Sequence, residues 1–316
     1  RIFPQIDMMI RRFVAPLSRC FATAAANNCR LTPATGALIN LELYPIDDPT
    51  SSAYGELVSK ARKNLNNGGC CRLENFITNE GVEQMQVETV TLAENARGNQ
   101  KGRSTNAWYE DGDSTLPPSH PRNTFFHRNF GAIRDDMIAP NTAIRSVYDN
   151  ENLIRFAADV LNVGTLYQSR DAYQALTINV MGEGEDLHWH FDNNYCAITL
   201  GIQQPESGGE LEYIPTIGRK NYDAISEVMQ QDEKSTMSRQ YQTTEGALCF
   251  FRGGESMHRV RRVSGKRLRL VAALQYHTSD NATDSAAKTE RIYGVPASEH
   301  VGPKKYIAAA ASSQKC

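Results

Sequence analysis

The sequence lacks an apolar run long enough to span a membrane, and it lacks a surplus of charge of one sign. Its 316 residues carry 34 basic and 36 acidic side chains, for a formal net charge of −2. No stretch approaches the roughly 18–20 apolar residues that cross a bilayer. A balanced charge distribution argues against a nucleic-acid groove or a polybasic membrane patch. We therefore expect neither nucleic acid nor a membrane as a partner.

Cysteine is scarce and shows no metal-binding spacing. The seven cysteines are scattered, and no two of them form a CxxC pair. This excludes a zinc ribbon and gives no sign of a disulfide framework, so the usage indicates a reducing compartment.

Acidic residues are missing from the amino-terminal part, between Met8 and Leu41. The same stretch, which includes MMIRRFVAPLSRCFATAAANNCR, is rich in Ala, Ser and Arg and has no long apolar centre. That composition is typical of an organelle transit peptide. We predict that residues 1–40 are a mitochondrial or plastid transit peptide. The alternative is a disordered leader on a cytoplasmic protein.

Residues 41–165 are predicted to form a helical amino-terminal support. Apolar residues recur at helical spacing over 51–66, after Thr78 and after Asn150, and CCRLENFI reads as a short strand between the first two helices. Residues 95–123 are polar and show no periodicity. A segment of this length and character inside a domain is commonly a lid, so we predict a lid over a pocket.

Residues 166–280 change to short β-rich runs separated by Gly-rich or polar turns, such as ALTINVM, GELEYIP and RLRLVAALQYH. Many short strands predict a sandwich or a barrel. Residues 219–240 read as a mainly helical surface insert, and residues 281–316 as a polar tail. The fold class predicted is mainly β with α (α+β).

The segment HWHFD, residues 188–192, places two histidines and an aspartate at alternate positions. On a strand, His188, His190 and Asp192 point to one face. A further ligand must come from elsewhere, and His258 begins a later strand after a Gly-Gly turn. Two imidazoles and one carboxylate suit non-haem Fe(II), because the opposite face of the metal stays open for a co-substrate and O2. We predict that His190, Asp192 and His258 bind the metal.

A basic strand follows His258 and carries two candidate arginines. If the co-substrate is a 2-oxo dicarboxylate, its far carboxylate needs a guanidinium deep in the cavity. Arg267 is our first candidate, because it enters an apolar strand where a charge needs a partner. Arg269 lies two residues further on, so it points to the same face of the strand and is the alternative.

The motifs of residues 166–278 resemble the iron(II)/2-oxoglutarate-dependent dioxygenase superfamily. The matching elements are NVMGEGEDLHWHFD, GGELEY (208–213), GALCFFRGG and HRVRRVSGKR (258–267). The resemblance implies a double-stranded β-helix core, of the jelly-roll or cupin-like kind, behind amino-terminal helices. It implies Fe(II) as the metal, with 2-oxoglutarate and O2 as co-substrates, and it places Asn179 near the chelating end of 2-oxoglutarate.

Within that superfamily, HWHFDNN, the PSHPR loop (118–122) and RIYG (291–294) resemble a group that acts on free amino acids and includes radical halogenases. Those halogenases have a small residue in place of the carboxylate ligand, so that chloride binds iron. This sequence keeps Asp192, which implies hydroxylation of a small polar substrate. The candidate substrate contacts are His188, Asn194, His120 and Arg122.

Three other functions stay open at this point. The same iron chemistry also serves desaturation or ring closure, and related enzymes act on proline or lysine within a protein. From a different class, a β-helix protein with residual ligands would bind a metal or small molecule without catalysis.

Overall fold

The structure is a computed structural model that describes residues 38–194, 196–230 and 237–304. Apart from its last three residues, the predicted leader of residues 1–40 lies outside these described residues.

Six α-helices occur in the described part of the chain, and the three predicted from periodicity are confirmed. Helix α1 begins after Ser51, whose side chain accepts a hydrogen bond from the Tyr54 amide, and it ends before Gly69, where φ is +71°. The left-handed region is open to glycine without steric cost, so Gly69 stops the helix. The helices are α1 Ser52–Gly68, α2 Asn79–Ala96, α3 Ala143–Tyr148, α4 Glu151–Leu161, α5 Tyr222–Met229 and α6 Ala286–Tyr293.

The strands are short and pair antiparallel. They are β1 Cys70–Leu73, β2 Ser104–Asn106, β3 Phe125–His127, β4 Gly131–Ile133, β5 Tyr167–Gln168, β6 Leu176–Met181, β7 Leu187–His190, β8 Ala197–Gln203, β9 Ser207–Gly208, β10 Leu211–Ile214, β11 Arg239–Tyr241, β12 Leu248–Phe251, β13 Met257–Val260, β14 Val263–Ser264, β15 Arg269–Leu274 and β16 Tyr276–His277.

Two sheets form the body of the described chain. One has the strand order β1-β12-β8-β15-β6-β4 and the other has the order β11-β10-β13-β7. The predicted mixture of α-helices with antiparallel sheets is confirmed, whereas the jelly-roll connectivity stays a prediction.

The six-stranded sheet separates the main apolar core from a cavity. On β6, Ile178 and Val180 are fully buried in the core with residues of α1, α2 and α4. The alternate residues Thr177 and Asn179 line the cavity instead. Strand β15 follows the same alternation, with Leu270 in the core and Val271 in the cavity wall. One face of the sheet therefore supplies stability and the other supplies a binding surface.

No helix in the described ranges has both the length and the apolar character needed to cross a bilayer.

A buried carboxylate ties the four-stranded sheet together. The Glu212 side chain on β10 is 0% exposed and accepts hydrogen bonds from Arg259 Nε at 2.9 Å and Arg261 Nη1 at 3.2 Å. Ser238 Oγ donates to it at 2.7 Å. Burial alone would raise the pKa of Glu212, but these donors outweigh burial and hold its pKa below the ordinary value.

Replacing Glu212 by glutamine is expected to lower the free energy of unfolding by roughly 3 kcal/mol at neutral pH, because two arginines lose their anionic partner. A carboxylate with a lowered pKa contributes stability that is present above its unfolded value of about 4.3 and is lost as pH falls through the folded pKa. The difference between wild type and Glu212→Gln should therefore shrink in acid. Urea unfolding at neutral pH and near pH 3 measures this, with exposed Glu56→Gln as control. A pH-independent difference would contradict the expectation.

Candidate active site

Strand pairing brings the two predicted histidine ligands together. His190 at the end of β7 lies directly opposite His258 on β13, and their ring centroids are 4.0 Å apart. Asp192 follows two residues after His190, with its Oδ1 3.7 Å from His190 Nε2 and 3.5 Å from His258 Nε2. The three ligand atoms lie within 4.8 Å of one another. The arrangement is a compact triad with two nitrogens and one oxygen.

The protonation pattern of the triad fits a divalent metal. Nδ1 of His190 lies 2.8 Å from the His188 carbonyl, and Nδ1 of His258 lies 3.0 Å from the Ser256 carbonyl. These contacts assign the proton to Nδ1 and leave both Nε2 lone pairs for a metal. Burial, followed by the neighbouring His258, lowers the pKa of His190 to about 3. Burial opposes ionisation of Asp192, but the two histidines outweigh it and lower its pKa. A neutral imidazole and a carboxylate are the forms that bind Fe(II).

The backbone around Asp192 fixes its carboxylate. Its amide donates to the Gly253 carbonyl at 3.0 Å, and Arg219 Nη1 donates to the Asp192 carbonyl at 2.9 Å. A Cβ on Gly253 would lie 1.8 Å from Asp192 Oδ2, which is closer than any non-bonded pair tolerates. Glycine at position 253 is therefore required for the carboxylate to reach the triad.

A β-bulge corrects one part of the sequence interpretation. His258 pairs with His190, but Val260 pairs with Leu187, so between these pairs two residues of β7 face the single residue Arg259 of β13. The extra residue breaks the alternation of side chains along β7. Strict alternation from His190 would place His188 in the cavity wall, but Leu187 lines the cavity instead. The His188 ring instead stacks on Phe126 with centroids 4.7 Å apart, and its side chain is 43% exposed.

The triad opens into a cavity of about 190 Å³. Aromatic rings stand beside the ligands: Tyr109 packs edge-on against His190 and Phe251 packs edge-on against His258. Both sheets contribute to the wall, through inward residues of β6, β8 and β15 on one side and of β7, β10 and β13 on the other.

Of the two candidate arginines, Arg269 enters the cavity and Arg267 does not. Arg267 precedes β15, pairs with Glu245 at 2.7 Å and has a side chain that is 44% exposed. The expectation that Arg267 lies in the cavity floor is therefore not met. Arg269 is 3% exposed and lines the cavity. Its Nε donates to the Gly209 carbonyl at 2.8 Å, and burial lowers its pKa to about 10.

The remaining predicted site residues divide between the cavity and the surface. Asn179 on β6 and Asn194 line the cavity, and Asn194 donates a hydrogen bond to Gln275. His120 instead packs against Tyr222 and caps a 3-10 helix. Arg122 pairs with Glu110 at 2.6 Å. His120 and Arg122 are not among the cavity-lining residues.

Arg128 and Tyr109 line the cavity but were not predicted as substrate contacts. Arg128 is 7% exposed, and its Nε and Nη1 have no hydrogen-bond partner in the described structure. Its guanidinium lies 4.7 Å from the ring centroid of Phe130 and 5.7 Å from that of Tyr109. Tyr109 has a φ of +57°, which costs a non-glycine residue about 1–3 kcal/mol and is common at functional sites. Burial raises the pKa of Tyr109 to about 12.

Helix α6 forms part of the cavity wall, although the sequence interpretation placed it in a polar tail. Lys288, Ile292 and Tyr293 of this helix line the cavity. Arg291 Nη1 donates to the Tyr109 carbonyl at 2.8 Å, and its Nη2 pairs with Asp111 at 2.5 Å. The helix is thereby fastened to the polar loop that was predicted to be a lid.

The triad and its cavity define an iron(II)/2-oxoglutarate-dependent oxygenase, which uses Fe(II) as cofactor and 2-oxoglutarate and O2 as co-substrates. The chain belongs to the Halogenase D family, whose family model matches residues 54–294. No curated protein matches the chain significantly.

Several solved structures are similar to the chain at low sequence identity. A prolyl-4-hydroxylase of Pseudomonas putida has 12% sequence identity and a TM-score of 0.43, covering 69% of this chain and 98% of that one. AviO1 of Streptomyces viridochromogenes has 12% identity and a TM-score of 0.46, covering 69% and 93%. The non-haem α-ketoglutarate-dependent epimerase SnoN of nogalamycin biosynthesis has 8% identity and a TM-score of 0.47, covering 71% and 83%.

Proposed function

We propose that this protein hydroxylates a C–H bond of a small polar carboxylate, most simply a free amino acid. The observation that carries the proposal is the buried guanidinium of Arg128, with unpartnered donors, in the same cavity as the triad and Arg269. The cavity thus offers one cation for 2-oxoglutarate and a second for another carboxylate.

The triad residues His190, Asp192 and His258 would hold Fe(II). With 2-oxoglutarate and O2, the bound metal supplies the oxidising power for C–H cleavage, and 2-oxoglutarate leaves as succinate and CO2. The protein contributes position: the C–H bond that the cavity presents to the metal determines the product.

Arg269 is the residue proposed to bind the distal carboxylate of 2-oxoglutarate. A buried guanidinium needs an anionic partner, and the contacts of Arg269 are all uncharged: the Gly209 carbonyl, Thr243 Oγ1 at 3.5 Å and Met181 Sδ at 4.0 Å. Asn179 lies on the neighbouring strand β6, opposite Val271 of β15. We propose that Asn179 contacts the chelating end of the co-substrate.

Arg128 is proposed to bind the substrate carboxylate. It lies near the metal ligands, since its guanidinium is 5.7 Å from the Tyr109 ring centroid and that ring packs against His190 with centroids 5.4 Å apart. The rings of Tyr109 and Phe130 flank it, shield it from water and so strengthen its attraction for an anion. Asn194 lines the same cavity and stays a candidate substrate contact.

Asp192 favours hydroxylation over halogenation in this member of the Halogenase D family. Its carboxylate fills the third protein position of the triad. A halide can bind the metal there only if no protein ligand occupies that position. Gly253 and Arg219 hold the Asp192 segment in place, so the carboxylate is built into the site.

The dimensions of the cavity favour a small molecule over a peptide. The cavity has a volume of about 190 Å³, and α6 is fastened across it to the loop at Tyr109 and Asp111. A polypeptide would have to displace that connection. Desaturation or ring closure stays an alternative outcome of the same chemistry.

The test is a screen of succinate release across free amino acids and proline- or lysine-containing peptides, with the mass shift of each substrate measured. The expected result is succinate formation that depends on one class of free amino acid, with a gain of one oxygen atom. Anaerobic addition of Fe(II) and 2-oxoglutarate should also give the weak visible absorption band of the chelate. Absence of both the band and succinate would overturn the proposed hydroxylation and favour a non-catalytic binding protein.

A further inference from the structure

Two cysteines from paired strands meet on the cavity side of the six-stranded sheet. Cys70 lies on β1 and Cys249 on β12, and the register pairs Cys70 with Phe251 and Arg72 with Cys249. All four side chains therefore share one face of the sheet, and Phe251 lines the cavity. The two sulfur atoms are 3.4 Å apart, and both thiols are free. A small further approach would bring the sulfurs to bonding distance.

The surroundings of the two thiols give them different reactivity. Cys70 is half-buried, whereas Cys249 is 2% exposed. The hydrogen bond from Cys249 lowers the pKa of the Cys70 thiol, with smaller contributions from Tyr241 and Arg72, and together these outweigh burial. The hydrogen bond to Cys70, together with burial, holds the pKa of Cys249 well above its ordinary value. An accessible thiol with a lowered pKa beside a second thiol is the arrangement that oxidants attack.

Tyr241 connects the thiol pair to the end of the cavity that contains Arg269. The Tyr241 hydroxyl lies 3.1 Å from Cys249 Sγ, and Tyr241 is part of the cavity wall. Thr243, two residues further along, lines the same cavity and has its Oγ1 3.5 Å from Arg269 Nη2. A change at the Cys249 sulfur therefore reaches the cavity wall beside Arg269 through one hydrogen bond.

We propose that Cys70 and Cys249 are a site of oxidative modification by hydrogen peroxide, and that the disulfide between them weakens the binding of 2-oxoglutarate. The Cys70 thiolate attacks the O–O bond of the peroxide and becomes a sulfenic acid, and the other oxygen takes up a proton and leaves as water. Cys249 then attacks the Cys70 sulfur, the S–S bond forms, and the sulfenic hydroxyl leaves as a second water. Two thiols thus give two electrons and two protons to one peroxide.

The disulfide changes the contact that Tyr241 makes. A disulfide sulfur carries no proton and accepts hydrogen bonds weakly, so the Tyr241 hydroxyl loses its partner and turns towards another one. The cysteine usage of the chain indicates a reducing compartment, where a disulfide of this kind is transient and sensitive to the redox state. The effect on 2-oxoglutarate rests on the proposed function, because it assumes that Arg269 binds the co-substrate. Formation of the disulfide does not depend on that assumption.

Mass spectrometry after mild oxidation tests the modification site. The full-length protein is freed of iron, so that the metal does not react with the oxidant, and is treated with hydrogen peroxide, which catalase then removes. We expect the mass of the protein to fall by two hydrogen atoms, and a digest to contain the peptide of Cys70 joined to that of Cys249. Dithiothreitol should reverse both changes. Absence of this peptide pair would overturn the proposal.

The visible band of Fe(II) and 2-oxoglutarate measures the consequence of oxidation. Reduced and oxidised protein are loaded with Fe(II) without oxygen and titrated with 2-oxoglutarate. We expect oxidation to raise the apparent Kd about three-fold or more, which is the effect of losing one ordinary hydrogen bond. An unchanged Kd in protein that contains the disulfide would overturn the link to the cavity. If reduced protein gives no band, the proposed function fails, and the mass measurement still decides whether the disulfide forms.

Four variants assign the effect to these side chains. Cys70→Ser and Cys249→Ser should each abolish the disulfide and the response of the Kd to peroxide. Cys71→Ala is the matched control, because Cys71 is adjacent in sequence but is buried in the apolar core on the other face of β1. Its response should equal that of wild type. Tyr241→Phe should still form the disulfide, but its Kd should no longer respond. A full response in Cys70→Ser or in Tyr241→Phe would contradict the mechanism.

Discussion

Replacing Arg269 by glutamine is expected to raise the KM for 2-oxoglutarate at least 100-fold. The buried guanidinium has no carboxylate partner in the described structure, and losing a buried charged contact of this kind costs about 3 kcal/mol or more. Steady-state succinate release at varied 2-oxoglutarate measures the effect. Fe(II) binding without 2-oxoglutarate should change little, because Arg269 is not part of the triad.

Arg267→Gln is the matched control, since it makes the same chemical change two residues away. Arg267 is partly exposed and pairs with Glu245, so its loss should leave the KM for 2-oxoglutarate within about two-fold of wild type. A large effect of Arg267→Gln together with a small effect of Arg269→Gln would contradict the assignment of the cavity arginine.

Removing the carboxylate of Asp192 is expected to have the second large effect. Asp192→Ala should weaken Fe(II) binding more than 100-fold and abolish the visible band with 2-oxoglutarate, because direct ligands matter more than the residues that orient them. Asp192→Gly leaves the most room at the third position. With saturating Fe(II) and chloride, part of the remaining turnover should give a chlorinated product.

Mass spectrometry of the product distinguishes the outcomes for these variants. An unchanged band in Asp192→Ala would show that the carboxylate is not a metal ligand. Suppose that in Asp192→Gly the band persists at high Fe(II) while no chlorinated product forms at any chloride concentration. That result would show that an open metal position is insufficient for halogenation in this cavity.

The metal triad was predictable because each of its ligands lies in a short, recognisable motif. Alternation in HWHFD places His190 and Asp192 on one side of a strand. A second strand, which is basic and follows a Gly-Gly turn, supplies His258. The structure adds the register, in which His258 faces His190 directly. Alternation failed at His188 because the β-bulge is a property of two paired strands and leaves no mark in either one alone.

The sequence could not decide whether Arg267 or Arg269 enters the cavity, for a similar reason. The two residues share strand parity, and only the start of β15 at Arg269 and the partner Glu245 separate them. Arg128 had no usable signal, because it lies in an irregular segment whose burial depends on distant elements. Helix α6 was missed because its polar composition resembles a solvated tail, although one face of it closes the cavity.

The connection between Arg291 and the loop at Tyr109 has a consequence for access to the metal. All three metal ligands precede α6 in the chain, so the helix adds a wall to the cavity without adding a ligand. Loss of the Arg291 contacts would therefore loosen one side of the cavity and leave the triad itself intact.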